Sequence, residues 1–228
     1  GKWSVFRCLI GCLEDKEGTR FVLNEGHWYI PSDGIFGPVE AFFRDRKAES
    51  DPNLTPFLVK SWSKNNKSGA KAKIIPAYEP EEDYNKRIAD ETGYVLFDQK
   101  WHKSSSGEFS KLEVCDLYDA SQLRMIHLKR TSRQPSMLSH LFEQGRRTAD
   151  LWQRDDVRKQ FIERVRADAG DERAELLRNA KPADITIEFA IADHLNNQGH
   201  HTIPFLAKLT FESNAREIEF RGFRAKIR

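Results

Sequence analysis

The chain has 228 residues, and its 37 Lys and Arg side chains nearly balance 35 Asp and Glu, for a formal net charge of +2. This balance excludes the strongly basic type of nucleic-acid protein, and no apolar run approaches the roughly 20 residues of a membrane span. The N-terminus has no signal-peptide pattern, and three cysteines favour buried thiols over a disulfide framework. We therefore expect a cytoplasmic protein that does not enter a membrane.

The first 60 residues predict an N-terminal subdomain of β-meander and helix. Residues 3–30 alternate apolar and polar side chains between turn signals, which is typical of a small antiparallel meander. Residues 35–47 have the apolar spacing of a short amphipathic helix. A Ser-, Asn-, Lys- and Gly-rich run then predicts a loop or linker over residues 61–79, with its surface loop at 61–73.

Residues 80–228 predict an α/β core. The segment 80–93 begins with proline and acids and ends with glycine, as helices do. The later elements are a strand at 94–98, two strands within 112–130 joined by a turn near 119–122, a long helical stretch at 135–169 that breaks near Arg154, a charged helix, a strand at 184–193, a helix at 203–222 and a strand at 223–228. Their order is α-β-β-β-α-β-α-β.

The hairpin 112–130 combines an apolar composition with ionisable side chains. Strand alternation puts the apolar residues of its second strand on one face, and His127 and Lys129 on the other. We expect the apolar face in the core and the ionisable face in a solvated position. The register, which the sequence leaves open, decides whether Glu113 or Asp116 faces His127 and Lys129.

These residues have the chemistry that a metal-dependent phosphodiesterase needs. Carboxylate oxygens hold Mg²⁺ together with water, the ion activates a water molecule, and a lysine neutralises developing charge. We expect Glu113 and Asp116 to be metal ligands and Lys129 to be the charge stabiliser. The alternative is a cross-strand carboxylate–lysine pair on a solvated sheet face.

The order of elements and the hairpin motif resemble the PD-(D/E)xK restriction-endonuclease-like superfamily. Its α-β-β-β-α-β core is similar to the order from residue 80, with residues 127–129 in the (D/E)xK place. The resemblance implies a nuclease that uses Mg²⁺ or Mn²⁺. His127 departs from the pattern, because an acid or glutamine is usual there and imidazole suits Mn²⁺ better than Mg²⁺. We expect His127 to be an auxiliary ligand or proton carrier, and Asp98 to supply a further carboxylate to the metal.

A basic stretch follows the first strand of the hairpin. Residues 124–166 contain eleven Lys or Arg against five acids, which predicts a phosphate-binding surface, with a solvated helix face as the alternative. We expect Arg130 and Arg133 to clamp phosphates. The side chains of His140, Arg146 and Arg147 are further candidates for contact with nucleic acid.

The helix that begins near residue 135 supplies one more candidate. Ser136, His140 and Gln144 are spaced i, i+4, i+8 and so lie on one side. Nucleases similar to this chain often bring a glutamine from this helix toward the metal, so the resemblance implies that Gln144 orients a reacting group. Gly145 is unfavourable inside a helix, which predicts the close approach of another group.

Six segments together resemble an uncharacterised, sporadically distributed prokaryotic family, a domain of unknown function: "EDYNKRIA", "YVLFD", "LEVCDL", "IHLKR", "MLSHLFEQG" and "IPFLAKL". Patchy occurrence of this kind resembles that of defence or mobile genes. We expect a mixed α/β (α+β) protein with a restriction-endonuclease-like core after a β-meander. Its expected function is that of a metal-dependent nuclease-like domain acting on nucleic acid in anti-phage or mobile-element defence, with DNA favoured over RNA as the substrate.

Two alternatives and two modes of assembly accompany this prediction. The chain is alternatively a nuclease-like scaffold that binds nucleic acid without cutting it, or a protein-interaction domain of a larger defence protein. A homo-oligomer or a larger defence assembly is the expected setting in either case.

Overall fold

The computed structural model describes residues 11–17, 19–24, 26–65, 73–97, 114–130, 135–192 and 203–228. Within these ranges the chain is a mixed α/β structure, as predicted. Its helices are α1 (Asp33–Asp45), α2 (Glu81–Thr92), α3 (Pro135–Trp152), α4 (Asp155–Ala169), α5 (Asp171–Asn179) and α6 (Phe205–Phe220). Its strands are β1 (Gly11–Glu14), β2 (Arg20–Asn24), β3 (His27–Tyr29), β4 (Val59–Asn65), β5 (Lys73–Tyr78), β6 (Val95–Leu96), β7 (Leu117–Asp119), β8 (Arg124–Lys129), β9 (Thr186–Ile191) and β10 (Arg224–Ile227). None of these helices is long and apolar enough to cross a membrane.

The central sheet has five strands in the order β10-β9-β8-β7-β6. β6, β7 and β8 form an antiparallel meander, whereas β8, β9 and β10 are parallel. Parallel neighbours need a crossover, which α3, α4 and α5 supply between β8 and β9, and α6 between β9 and β10. The predicted order of elements from residue 80 is confirmed, as is the break near Arg154, where α3 gives way to α4.

Both faces of this sheet are covered. On one face α3, α4 and α6 pack over the larger core, which includes Phe142, Phe161 and Phe211. On the other face α2 supplies Tyr84 and Ile88 to a smaller core. β8 lies in the middle of the sheet, and its first five residues are buried. The expectation that the ionisable face of this strand is solvated is therefore wrong for His127, which is 2% exposed.

The residues at the two ends of helix α2 explain why its start and end could be predicted from the sequence. Three acids occupy its first turn, where the positive end of the helix dipole stabilises them. Gly93 ends the helix in the left-handed conformation with φ 73°, which glycine adopts without a steric penalty. Tyr84 and Ile88, one turn apart, then bury the same face against the sheet.

The predicted loop at 61–73 is wrong for the part that the structure describes. β4 and β5 pair antiparallel, with Val59 opposite Tyr78 and Asn65 opposite Lys73. Together they form a separate two-stranded sheet. The polar composition and Pro76 obscure this pattern, because proline and lysine are depleted in strands. Residues 59–65 and 73–78 are thus a β-hairpin, named here the lysine hairpin.

The N-terminal elements contact the core beyond residue 60. β1, β2 and β3 form the predicted antiparallel meander within the described residues. Helix α1 packs on α6, where Phe36 and Phe205 have ring centroids 4.1 Å apart. Arg46 adds two hydrogen bonds to Glu219, of 2.7 and 2.8 Å. The division into 1–60, 61–79 and 80–228 stays a prediction, but α1 contributes to the same apolar core as the central sheet.

Candidate functional site

Several strand ends meet at one edge of the central sheet. β6 and β8 are both antiparallel to β7, so their carboxyl ends lie together with the start of β7. The backbone N–H of Phe97 donates to the carbonyl of Asp116 at 2.9 Å, and that of Ala192 donates to the carbonyl of Lys129 at 2.9 Å. Carboxyl ends of strands are frequent ligand-binding positions in α/β folds. This strand-end edge is the candidate site.

Asp116 is held against β8 by two hydrogen bonds. Its N–H donates to the carbonyl of Ile126 at 3.0 Å, and its carboxylate Oδ2 accepts the N–H of Leu128 at 2.6 Å. The carboxylate therefore lies one residue along β8 from Lys129. Leu117 is opposite Ile126, which settles the register that the sequence left open for this acid. Glu113, the other predicted acid of the hairpin, lies outside the described residues.

Lys129 forms an ion pair that the sequence did not predict. Its Nζ donates to Oε2 of Glu81 at 2.7 Å, and the two side chains are 20% and 39% exposed. Glu81 is the first residue of α2, so this contact brings the start of α2 to the end of β8. The acidic first turn of α2 was visible in the sequence, but its position beside Lys129 depends on the tertiary fold. Glu81 is the site residue that sequence reasoning missed.

His127 is a buried hydrogen-bonding residue on the α3 face of the sheet. Its Nε2 lies 2.9 Å from Oγ1 of Thr148. The Thr148 hydroxyl donates to the backbone carbonyl of Val114, so it accepts from Nε2–H of the imidazole. Burial lowers the pKa of His127 to about 3, and the charge of Lys129 acts in the same direction. The imidazole is therefore neutral near pH 7, with its proton on Nε2.

Gly145 brings α3 close to β9. A Cβ atom at this position would lie 2.3 Å from Cζ of Phe189 and 3.1 Å from Cγ2 of Ile187. Phe142, almost one turn earlier, also contacts Phe189, with ring centroids 5.2 Å apart. The close approach that mid-helix glycine predicts is thus made by a core side chain. Because the contacts advance from Phe189 toward Ile187 as α3 proceeds, the helix runs antiparallel to the strand.

This direction gives Gln144 a position relative to the strand-end edge. Thr148 is level with His127, and Gln144 lies one turn earlier on the same side of α3. Four helical residues rise by about 6 Å, and two strand residues by about 6.6 Å. Gln144 therefore lies one turn from Thr148 in the direction of the strand-end edge, and its side chain is half-buried.

The predicted phosphate-binding residues have different surroundings. Arg130 stacks over Tyr78 at the end of β5, with its guanidinium carbon 4.6 Å from the ring centroid. Arg146 bonds Glu143 at 2.5 Å and Asp150 at 3.2 Å, which neutralises its charge locally. His140 and Arg147 are exposed on α3. Arg133 lies outside the described residues.

Most arginines of α4 and α5, and Arg154 just before α4, are also paired with acids of these two helices. The pairs are Arg154–Asp156, Arg158–Asp155, Arg164–Asp168, Arg166–Glu163, Arg166–Asp171 and Arg178–Glu175. Such pairs, three or four residues apart for the most part, are typical of a solvated helix face. The basic excess of residues 124–166 is therefore largely compensated where it lies on α4.

The metal prediction depends on carboxylates from several segments. Among the described residues, no group of three His, Cys, Asp or Glu side chains is arranged to hold a metal ion. Asp98 and Glu113 fall outside those residues, so Asp116 and Glu81 are the carboxylates that the structure places along this edge. Carboxylate oxygens suit Mg²⁺ and Mn²⁺, and Mg²⁺ often binds one or two carboxylates with several waters. Asp116 and Glu81 match such an ion in ligand type, and Glu81 is paired with Lys129.

A second polar cluster lies at the opposite end of β8. The guanidinium of Arg124 binds Asp51 at 2.7 Å, Asp119 at 2.8 Å and Glu188 at 3.3 Å, and all four side chains are buried. Burial opposes the charge of Arg124, but Glu188 and the hydrogen-bonded acids outweigh it and raise its pKa. These ion pairs join the segment before β4 to the hairpin of β7 and β8 and to β9. It stabilises the fold away from the strand-end edge.

The fold and the edge define a mixed α/β protein with a lysine at the end of β8, a carboxylate just before β7 and a second carboxylate at the start of α2. The chain matches the model of a family of unknown function, DUF6119, over residues 1–228, and it belongs to that family. The predicted membership in a family of unknown function is confirmed. No curated protein and no solved structure matches the chain.

Proposed function

We propose that the chain is a metal-dependent nuclease-like domain that acts on nucleic acid in prokaryotic anti-phage or mobile-element defence. DNA is favoured over RNA as its substrate. One observation carries the proposal. The Asp116 carboxylate is hydrogen-bonded to the N–H of Leu128, immediately before Lys129, and Lys129 in turn binds Glu81. Carboxylates and a lysine at the ends of adjacent strands are the groups that phosphodiester hydrolysis requires.

The topology supports the proposal. α2, the meander β6-β7-β8, the crossover from α3 to α5, and β9 follow the α-β-β-β-α-β order of the restriction-endonuclease-like core that the sequence resembles. Asp116 immediately precedes the second strand of that order, and Lys129 ends the third. These are the positions that the resemblance implies for a first acid and for the lysine of (D/E)xK.

Each residue has a proposed role. Asp116 and Glu81, with Asp98 and Glu113 as further ligands, would hold Mg²⁺ or Mn²⁺. The bound ion would supply a Lewis acid and an activated water. Lys129 neutralises charge on the phosphate, and Gln144 orients a reacting group from α3. Arg130 and Arg133 bind neighbouring phosphates, while His140, Arg146 and Arg147 extend the contact along α3.

His127 supports a second candidate function. Its Nε2–H is committed to Thr148 and its side chain is buried, so this nitrogen is unsuited to binding a metal ion. We assign His127 a positioning role, in which it ties β8 to α3 and so fixes Lys129 relative to Gln144. The same observation favours the alternative of a nuclease-like scaffold that binds nucleic acid without cutting it, since a histidine replaces the usual acid.

A cleavage assay with matched variants tests both functions. The protein is incubated with supercoiled DNA, single-stranded DNA and RNA, in Mg²⁺ or Mn²⁺. Asp116→Asn removes the charge but keeps an oxygen that can accept the Leu128 N–H. Lys129→Ala removes the proposed charge stabiliser. Lys208→Ala is the control, because Lys208 is also a half-buried lysine, 17% exposed, that binds a glutamate, Glu40, at 2.6 Å.

We expect Asp116→Asn and Lys129→Ala to lower the cleavage rate by about 100-fold or more, as the loss of one charge-stabilising group does. Lys208→Ala should cleave as the wild type does. Cleavage that survives both site substitutions would show that the site is elsewhere. If the wild type binds DNA in a salt-dependent manner but cuts no substrate, the binding scaffold is the better description. Neither cutting nor binding would refute both and leave the protein-interaction alternative.

A further inference from the structure

The chain segment that contains the lysine hairpin has a one-sided charge. Residues 58–78 contain five lysines and no acid. The arginines of α4 contrast with this, because they are paired with acids on their own helix or its neighbour. Three of the lysines, Lys60, Lys64 and Lys73, are on the described strands β4 and β5. A set of lysines with no acid among them is the electrostatic footprint expected for a phosphate backbone.

The backbone geometry of the hairpin fits a DNA groove. β4 and β5 pair only with each other in the described sheets, and thus form a two-stranded ribbon. Seven residues of β4 span about 23 Å at the usual strand rise. The major groove of B-form DNA, about 12 Å wide, admits a two-stranded ribbon, whereas the A-form major groove is too narrow. Shape therefore favours duplex DNA over duplex RNA.

The base of the hairpin is anchored next to the strand-end edge. The carboxylate of Glu79, directly after β5, accepts the N–H of Leu58, directly before β4, at 2.8 Å. Arg87 of α2 binds the same carboxylate at 2.7 Å, and Glu79 is 4% exposed. At the end of β5, Tyr78 lies under the guanidinium of Arg130, which follows Lys129 in the chain. The hairpin thus begins and ends beside the proposed site.

From these observations we infer that the lysine hairpin is an arm that holds duplex DNA at the strand-end edge, with Lys60, Lys64 and Lys73 on the phosphate backbone. The inference rests on the proposed function, because it names how the substrate of that site is held. It moves the main phosphate-binding surface from α3 and α4 to β4 and β5. Lysines on edge strands also discourage edge-to-edge pairing between molecules, and that role alone requires no DNA contact.

Binding measurements separate these roles. Affinity for a short labelled DNA duplex of mixed sequence is measured by fluorescence anisotropy over a series of salt concentrations. Chelator is present, so that no cleavage occurs. A duplex RNA of the same sequence is measured in parallel. The arm variant carries Lys60→Gln, Lys64→Gln and Lys73→Gln. The control variant makes the same change at three exposed lysines elsewhere, Lys16, Lys159 and Lys181. The thermal midpoint of each variant establishes that it is folded.

We expect the arm variant to bind DNA more weakly, and its plot of log affinity against log salt to be shallower by about 0.9 for each phosphate that the protein no longer neutralises. The control variant should keep the slope of the wild type. Equal slopes for the two variants, both folded, would overturn the arm while leaving the proposed function intact. Tighter binding of duplex RNA than of DNA would also overturn it. A wild type that binds neither duplex would also overturn the arm, whereas the proposed function fails only if the cleavage assay shows neither cutting nor binding of any substrate.

Discussion

Acidification should destabilise the fold through His127. The folded protein holds this imidazole neutral with a pKa of about 3, against an ordinary value of 6.5 in the unfolded chain. Between these values the unfolded chain binds a proton that the folded protein does not, so stability rises with pH. The stabilising contribution is complete above the unfolded pKa of 6.5. It decreases progressively as the pH falls from there toward the folded pKa.

The magnitude follows from the two pKa values. Linkage gives a decrease of about 2 kcal/mol near pH 5 and about 3 kcal/mol near pH 4, relative to neutral pH. A typical domain has about 5–15 kcal/mol of stability, so this single group should move the unfolding midpoint measurably. His127→Gln removes the titration and retains an amide N–H that can reach Thr148.

Urea unfolding followed by tryptophan fluorescence measures the effect in both proteins across this pH range. The difference between wild type and His127→Gln isolates the histidine, because the carboxylates titrate alike in both. We expect this difference to shift by about 2 kcal/mol in favour of the variant between neutral pH and about pH 5. A difference that is independent of pH would refute the buried neutral state. So would an imidazole NMR signal of His127 that titrates near its ordinary pKa of 6.5.

Substitutions at three further buried sites test the packing and the buried polar groups. Gly145→Ala should lower the free energy of unfolding by about 1–3 kcal/mol, because the new Cβ would overlap the ring of Phe189. Adding Phe189→Leu to this variant should recover part of that stability in a thermal melt. Arg124→Gln should lower the free energy of unfolding by about 3–5 kcal/mol, since it leaves buried carboxylates unpaired. Arg146→Gln, which breaks a partly exposed ion pair, should change it by less than about 1 kcal/mol in the same urea titration. Tyr118→Phe should leave the melting temperature unchanged or raise it, because the buried hydroxyl has no hydrogen-bond partner among the described residues; a lower melting temperature would contradict this.

The helices were the most predictable elements, because local signals decide them. The acids and Gly93 bounded α2, and the apolar spacing after Pro204 indicated α6 despite its Thr and Phe content. The lysine hairpin was missed for the opposite reason. β4 has few apolar residues and β5 contains Pro76, so neither strand alternates apolar and polar side chains, and the two strands are joined by cross-strand hydrogen bonds.

The composition of the candidate site was predictable, but its arrangement was not. Alternation correctly separated His127 and Lys129 from the apolar face of β8, but it could not show that β9 and α3 would bury the histidine side as well. The pairing of Lys129 with Glu81 joins residues 48 positions apart, and that of Arg124 with Asp51 joins residues 73 positions apart. Contacts at such separations follow from the packing of whole elements, which a single sequence does not specify.

Residues 46–49, which follow α1, are hydrogen-bonded to β10 and the residue after it, and this contact constrains the order of folding. Ala48 donates its N–H to the carbonyl of Ile227, and Ile227 donates to that of Arg46, so residues from the first quarter of the chain extend the hydrogen bonding beside the last strand. Arg228 also reaches the carbonyl of Glu49, across 179 positions. Closing so long a loop is slow, and it requires β10 to have been synthesised. During translation the apolar side of α1 must therefore wait for α6 and β10, an interval in which chaperones have an exposed surface to bind.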